Sequence, residues 1–300
     1  MFKAGFISIL GKPNVGKSTL MNRIVGERLS IITSKAQTTR HRIRGIVNGD
    51  NHQLVFSDTP GIIDAAYKLH EGMMNFVSNS IQDADAVLYL TELGAEKALK
   101  REEEESLNFK IIQKLNKLKV PVFLVINKID KVEQSELEEV IKVWEELMPT
   151  ALIRPVSALK GAFVKELFEE LKEKMPESPA YFPEDELTDL PLRFFISEII
   201  REKIFLNYKK EVPYSTEVEI EEFKDEPEIV RIRAVIYVAR KSQKGIIIGH
   251  QGKMLKKVGT EARISIQDFL QKKVFLETYV KVEENWRNTD KGLKRFGYLN

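Results

Sequence analysis

Residues 11–19 read GKPNVGKST, directly after an apolar run at residues 6–10. The spacing is G-x-x-x-x-G-K-[ST], and no other feature constrains the fold as strongly. A strand has to end there, a tight loop has to follow, and a helix has to begin. Gly11 and Gly16 let the backbone curl until successive N–H groups face inward, where phosphate oxygens can sit. Lys17 can reach β- and γ-phosphates, and the Ser18 hydroxyl can hold Mg²⁺. From Thr19 to about Val25 the chain reads as a helix whose positive end favours an anion.

Three hundred residues exceed the usual size of one domain, so two are expected. The absence of cysteine excludes disulfides, thiolate metal sites and a Cys nucleophile, and it suits a reducing cytoplasm. The chain enters a strand almost at once, so no signal peptide is expected. No apolar run approaches the roughly 20 residues that span a bilayer. The net charge of +2 hides an asymmetry. Residues 181–230 hold 6 Lys/Arg against 14 Asp/Glu, whereas residues 231–273 hold 11 against 2. Either the basic block meets a polyanion, or the two blocks neutralise each other across one fold.

Over the first 175 residues, short β-rich runs alternate with amphipathic stretches. Strands are expected at 6–10, 43–48, 53–58, 86–91, 121–127 and 152–155, with helical periodicity at 102–118 and 135–147. This pattern predicts an α/β domain with a mainly parallel sheet. The runs 43–48 and 53–58 are too close for a helical crossover, so they should form a hairpin with one antiparallel edge strand. Residues 175–190, MPESPAYFPEDELTDL, read as a Pro-rich acidic linker. The expected division is 1–178, a linker at 179–190, and 191–300. In the last part a helix is expected at 192–206, strands near 215–223 and 229–239, a helix ending near 270, and a strand from 273 to about 282.

Three further motifs follow the phosphate loop. Asp58-Thr59-Pro60-Gly61 ends a buried strand; the carboxylate can hold a Mg²⁺ shell through water, and the Gly61 N–H can meet a γ-phosphate. Asn127-Lys128-Ile129-Asp130 ends another strand. Its Asp130 carboxylate can accept from the N1–H and 2-amino group of guanine, a donor pair that adenine lacks. Lys128 can lay its stem along the base. Val156-Ser157-Ala158 follows a short strand, where the Ala158 N–H could meet guanine O6. Between the first two motifs, Thr39 is the expected third Mg²⁺ ligand when a γ-phosphate is present, with Thr38 the alternative. Such a contact orders a loop in one nucleotide state and releases it in the other.

Near the C-terminus, residues 244–257 read KGIIIGHQGKMLKK. Gly249-His250-Gln251-Gly252 lies between an apolar turn and an amphipathic helix, flanked by Lys244, Lys253, Lys256 and Lys257. Two glycines allow close approach of a sugar–phosphate chain, and the lysines and helix ends supply positive potential. The basic-aromatic stretch 286–298 either extends this surface or packs on the core.

Residues 1–160 resemble the translation-factor-related GTPase family and keep its motif order. The C-terminal part resembles the KH domain, a single-stranded RNA-binding module, in its type II topology. The expected fold class is thus a P-loop GTPase domain, its mostly parallel sheet covered by helices on both faces, plus an α+β type II KH domain. The first resemblance implies hydrolysis of GTP to GDP and phosphate. It implies nucleotide contacts from Gly11, Lys12, Pro13, Asn14, Val15, Gly16, Lys17, Ser18 and Thr19. Further contacts are implied from Asp58, Thr59, Pro60, Gly61, Ile62, Asn127, Lys128, Asp130, Ser157 and Ala158. Mg²⁺ falls to Ser18, Thr39 and Asp58, and Lys17 balances transition-state charge. The position after Gly61, often a glutamine that orients water, is Ile62 here, so intrinsic turnover should be slow. A subgroup of bacterial GTPases shares an apolar residue there together with Asn14, which in some members helps bind potassium.

The pairing of the two halves resembles a family of bacterial GTPases that end in a KH domain. It implies binding of 16S ribosomal RNA near its 3′ end during 30S maturation, by a monomeric cytoplasmic protein with peripheral inner-membrane association. The expected RNA contacts are Lys244, Gly249, His250, Gln251, Gly252, Lys253, Lys256 and Lys257. Two other classes remain open: a P-loop kinase or ATPase with a basic accessory domain, and a membrane-signalling GTPase whose C-terminal domain binds protein or lipid.

Overall fold

The computed structural model describes residues 1–99 and 106–299. Contacts divide the chain into two compact units. The first is Met1–Ser30, Thr39–Asp64 and Met73–Asp189; the second is Ile31–Thr38, Ala65–Gly72 and Leu190–Asn300. Two short pieces of the N-terminal sequence therefore cluster with the C-terminal unit, which a division into consecutive segments does not anticipate. The Pro-rich stretch holds no helix or strand, but it is packed rather than free. Within the first unit Gln53 accepts from the N–H groups of Tyr181 and Phe182, and the Ile46 N–H donates to Leu187 O.

In chain order the first unit runs β1 Lys3–Gly11, α1 Lys17–Val25, β2 Ile43–Gly49, β3 His52–Asp58, α2 Lys68–Gln82, β4 Ala86–Glu92, α3 Ala95–Leu99, α4 Leu107–Leu115, β5 Val122–Asn127, α5 Gln134–Leu147, β6 Leu152–Pro155 and α6 Val164–Lys174. The first turn of α2 clusters with the second unit. The helix expected at 102–118 falls partly on residues outside the described ones; among those described, α4 begins after the Ser106 N-cap and ends at Leu115. The six-stranded sheet has the order β2-β3-β1-β4-β5-β6. All neighbours are parallel except β2 and β3, which form the expected antiparallel hairpin at the edge.

The strand interiors explain the parallel arrangement. All of β5, VFLVIN, is buried, as parallel strands covered on both faces must be. On one face Leu10, Tyr89, Leu124 and Ile126 pack with Val77 and Ile81 of α2, Ile112 of α4 and Trp144 of α5. Each such side chain contributes about 1.5–3 kcal/mol on burial. Ile62 belongs to this core. Strand β1 lies between β3, reached by way of α1 and β2, and β4, reached by way of α2, so the chain turns both ways from it. The crevice at the carboxyl ends is the position where such sheets bind ligands.

The second unit continues with α7 Leu192–Asn207, β7 Thr216–Asp225, β8 Val230–Val238, α8 Lys241–Ile248, α9 Lys253–Leu270, β9 Val274–Val282 and α10 Asp290–Arg295. Strand β8 pairs antiparallel with β7 and parallel with β9, the crossover between them carrying α8 and α9. This is the type II KH order. Ile196, Ile200 and Ile204 of α7 recur every four residues and meet Val258, Ala262 and Ile266 of α9 over Ile232, Ala234 and Ile236 of β8.

Part of the two charge blocks pairs across the sheet and its edge. Glu222 pairs with Arg233, Glu226 with Arg231, and Asp225 with Lys272. Part of stretch 286–298 packs on the core: Trp286 is fully buried, its Nε1–H donates to Ser215 O at 3.1 Å, and Phe296 and Tyr298 pack on its ring.

Helix α7 also buries charge. The Arg201 guanidinium, fully enclosed, donates from Nε to Glu198 Oε1 at 2.6 Å and from Nη2 to Glu198 Oε2 at 2.5 Å. Removing one partner of such a pair strands the other in a low-dielectric interior. Glu198→Ala should therefore cost about 3–5 kcal/mol, read from the urea midpoint, and Glu198→Leu combined with Arg201→Met should recover most of it.

Candidate functional site

The four sequence motifs meet at the carboxyl edge of the first sheet. Gly11 ends β1 at φ 147°, where a Cβ would lie 2.3 Å from Leu90 O; at Gly16, φ 100°, a Cβ would lie 2.3 Å from Asn127 Nδ2. Both positions are closed to any side chain. Gly16 is the N-cap of α1 and no side chain caps it, so the first-turn N–H groups remain directed at the loop.

Lys17 bends across this loop, donating to Gly11 O at 3.2 Å and Lys12 O at 3.0 Å. Burial pulls its ammonium down to about 8, with Asp58 acting the other way. An anion in the loop would offer this ammonium a full counter-charge in place of two carbonyl dipoles. Beside it, Ser18 Oγ lies 2.6 Å from Asp58 Oδ2 and 3.0 Å from Thr39 Oγ1. Thr39 rather than Thr38 is thus the hydroxyl at this centre. Thr38 instead bonds to Thr33 Oγ1 at 2.6 Å and Lys35 O at 2.7 Å.

Asp58 is fully buried, and burial pushes its carboxyl up against the opposing pull of Lys17 and Ser18. Its Oδ1 makes no hydrogen bond among the described residues. An all-oxygen donor set with an orphaned buried carboxylate oxygen fits a hard divalent cation such as Mg²⁺.

The Asp58–Gly61 turn is pressed onto the phosphate loop. Thr59 Oγ1 donates to Ile9 O at 2.7 Å, the Ile62 N–H donates to Gly11 O at 3.1 Å, and a Cβ on Gly61 would lie 2.7–2.9 Å from Pro13. The Ile62 side chain is buried in the core of the sheet.

Asn127 is the hub of the pocket. Its Nδ2 donates to Val15 O at 2.8 Å, and its Oδ1 accepts from Lys128 N at 2.8 Å and Ala158 N at 2.9 Å. One buried carboxamide ties together three motifs. The Ala158 N–H, read from sequence as facing guanine O6, is spent on this hub. Asp130 is exposed; the Ser157 hydroxyl donates to its Oδ1 at 2.5 Å and holds its carboxyl below the usual carboxylate range. An ionised acceptor with a second oxygen facing outward is the chemistry that a base with two adjacent N–H donors requires. Lys128 Nζ bridges Asn14 O, at 2.9 Å, and the Glu92 carboxylate.

Two residues here carry no motif signal. Glu92 anchors Lys128, and Arg23 of α1 donates to Ala158 O at 3.3 Å and Leu159 O at 2.6 Å, holding the last loop against the first helix. A charged residue at either position reads in the sequence as an ordinary solvated side chain.

In the second unit the GHQG loop joins α8 to α9. Gly249 has φ 71°, and a Cβ there would strike Met254 at 2.8 Å. Gly252 has φ 74° with nothing within 4 Å of its missing Cβ, so it faces open space. It is the N-cap of α9, again with no side-chain cap. His250, Gln251, Lys244, Lys253, Lys256 and Lys257 are all exposed around it. The arrangement is a second anion-favouring helix end, its flanking lysines exposed.

Comparison with known proteins agrees with both halves. Residues 6–128 match the family described as a 50S ribosome-binding GTPase, and residues 211–287 match the KH domain. The chain is 46% identical to GTPase Era of Geobacter metallireducens and 43% identical to that of Ruminiclostridium cellulolyticum, over 99% of this chain and 98% of each relative. Two solved structures superpose over 100% of both chains at 38% identity and a TM-score of 0.92. One is Era in complex with MgGDPNP and nucleotides 1506–1542 of 16S ribosomal RNA; the other is a variant of Aquifex aeolicus Era bound to GDP.AlF4⁻. No helix among the described residues is long and apolar enough to cross a membrane.

Replacing Asn127 by Ala leaves the Ala158 N–H and Val15 O without their partner in a buried site. The expected cost is about 2–4 kcal/mol, measured by thermal unfolding without nucleotide, together with at least a tenfold loss of nucleoside triphosphate affinity.

Proposed function

The chain belongs to the Era family of GTPases and is a GTP hydrolase, and from that we propose that it is a GTP-driven switch that binds the 3′ end of 16S ribosomal RNA through its KH loop and assists 30S maturation. One observation supports this reading above the others: a relative covered end to end by this chain holds both MgGDPNP and nucleotides 1506–1542 of 16S ribosomal RNA.

In this reading the backbone of residues 11–18 cradles the phosphates and Lys17 balances their charge through the transition state. Ser18 and Thr39 hold Mg²⁺ directly, and Asp58 holds it through its water shell. Bound there, the ion neutralises the β- and γ-phosphate oxygens and fixes their orientation. Asp130 selects guanine, since an adenine in this position would leave the carboxylate without a donor. Ile62, turned into the core, leaves the water to be oriented by other groups, so turnover is slow and suited to timing. Asn14 is the candidate potassium contact, and faster turnover in potassium than in sodium buffer is the measurement that assigns it.

On the RNA side, Gly252 leaves the N-terminus of α9 open to a sugar–phosphate chain, and Lys244, Lys253, Lys256 and Lys257 supply the counter-charge. RNA binding should weaken steeply with salt, as phosphate contacts by lysine do. A metabolic kinase has no need of Asp130, and a lipid- or protein-binding domain has no need of an open GHQG loop.

Two measurements test the assignment. Asp130→Asn should reduce the preference for GTP over ATP at least 100-fold in competition binding, because the amide presents a donor where guanine presents donors. Gly252→Asp should weaken binding of an RNA with the sequence of nucleotides 1506–1542 at least tenfold, with GTP turnover unchanged. Retained RNA affinity in that variant would falsify the RNA-binding role of the GHQG loop.

A further inference from the structure

The segment Ile31–Thr38, which precedes the metal-site residue Thr39, clusters with the second unit, and its contacts there are specific. The Lys35 ammonium donates to the carbonyls of Phe205 and Tyr208 at the C-terminal end of α7. Those carbonyls belong to the end of a helix that has no further turn to satisfy them, and the helix dipole places partial negative charge there. Arg201, one turn earlier, donates from Nη2 to Thr38 O at 2.5 Å. Inside the segment, Thr33 Oγ1 accepts from Lys35 N at 3.1 Å and bonds to Thr38 Oγ1, so Lys35 and Thr38 move as one turn. The residue after Thr38 is Thr39, whose hydroxyl stands 3.0 Å from Ser18 Oγ.

The same end of α7 grips both helices that flank the GHQG loop. The Tyr208 hydroxyl donates to Ile247 O at 2.6 Å, two residues before Gly249. Asn207 Nδ2 donates to Glu261 Oε2 of α9 at 2.6 Å. Ile247 is fully buried and Tyr208 nearly so, which makes this a fixed strut rather than a surface contact.

We propose that the C-terminal end of α7 is the relay between the nucleotide and the RNA loop, with Lys35 and Tyr208 as its two positioning residues. Seating Thr39 at the metal centre seats Lys35 on the carbonyls of Phe205 and Tyr208. That fixes Tyr208, which holds the backbone of α8 and with it the entry to Gly249. When Thr39 leaves, Lys35 is withdrawn and the strut loses one of its two fixed ends. The relay deepens the switch described above and rests on the RNA-binding reading.

The coupling is a ratio, and it is measured as one. The full-length protein is titrated with the RNA of nucleotides 1506–1542 in Mg²⁺ with GDPNP and with GDP, by fluorescence anisotropy. The native protein should bind the RNA at least fivefold tighter with GDPNP, within the usual range for linked sites. In Lys35→Met and in Tyr208→Phe the ratio should fall to within twofold of unity, while the affinity measured with GDP stays within twofold of native. The double variant should lose no more than either single one, because the two residues act in series. Lys35→Arg should restore the ratio. A merely structural role would weaken binding in both nucleotide states and leave the ratio intact, so a native ratio in Lys35→Met and Tyr208→Phe overturns the relay. Equal binding in both states by the native protein also overturns it and leaves the RNA reading standing. No RNA binding in either state overturns both.

Discussion

The polar groups of the nucleotide pocket gather around the carboxyl ends of β1, β3 and β5, and this constraint fixes the rest. Strand β1 has β3 on one side and β4 on the other, so its last residue, Gly11, opens into the crevice between chain segments running away in opposite directions. Asp58 arrives at the same level because it is in register with Ile9, and Asn127 because it pairs with Glu92 at the end of β4. None of these positions can slip by one residue without turning an entire strand inside out. The loops are free to be polar and strained because the strands beneath them are neither.

This division of labour explains what could be read from the chain and what could not. Buried parallel strands announce themselves as unbroken apolar runs, and phosphate chemistry requires glycines and a lysine at fixed spacing. Both were legible, as was the hairpin at the sheet edge. Thr39 was preferred to Thr38, but two adjacent hydroxyls differ only in which way the backbone turns them, and that is decided by the fold. Helix α2 is diluted by His70 and Gly72 at its start, which belongs to the second unit, before it enters the first at Met73. The roles of Arg23 and Glu92 depend on loops that lie far apart in sequence, and no local pattern marks them. The fate of the charge blocks was undecidable for a related reason. An acidic strand beside a basic one is neutral only if they pair, and pairing belongs to the fold.

Asn127 and Tyr208 illustrate a common solution to one difficulty. A site made of loops has to be held in place without regular secondary structure between them. In each case a single buried polar side chain satisfies backbone groups that would otherwise be stranded, and in doing so locks the loops to each other. The cost of leaving any of these groups unmet is what makes the arrangement specific. A hydrophobic contact of equal strength would tolerate sliding, and a hydrogen bond of fixed length does not.

The membership of residues 31–38 in the second unit has a consequence for synthesis of the chain. Lys35 and its partners Phe205 and Tyr208 are 170 and 173 residues apart. At about 5–20 residues per second, the nascent chain carries this segment for roughly 10–35 s before the helix that receives it has been made. Through that interval the first unit can assemble its sheet and its phosphate loop, but the segment leading to Thr39 has nowhere to dock. A growing chain is thus a nucleotide-binding module whose switch is unlatched, and the latch can close only once α7, the first helix of the C-terminal part, has been made.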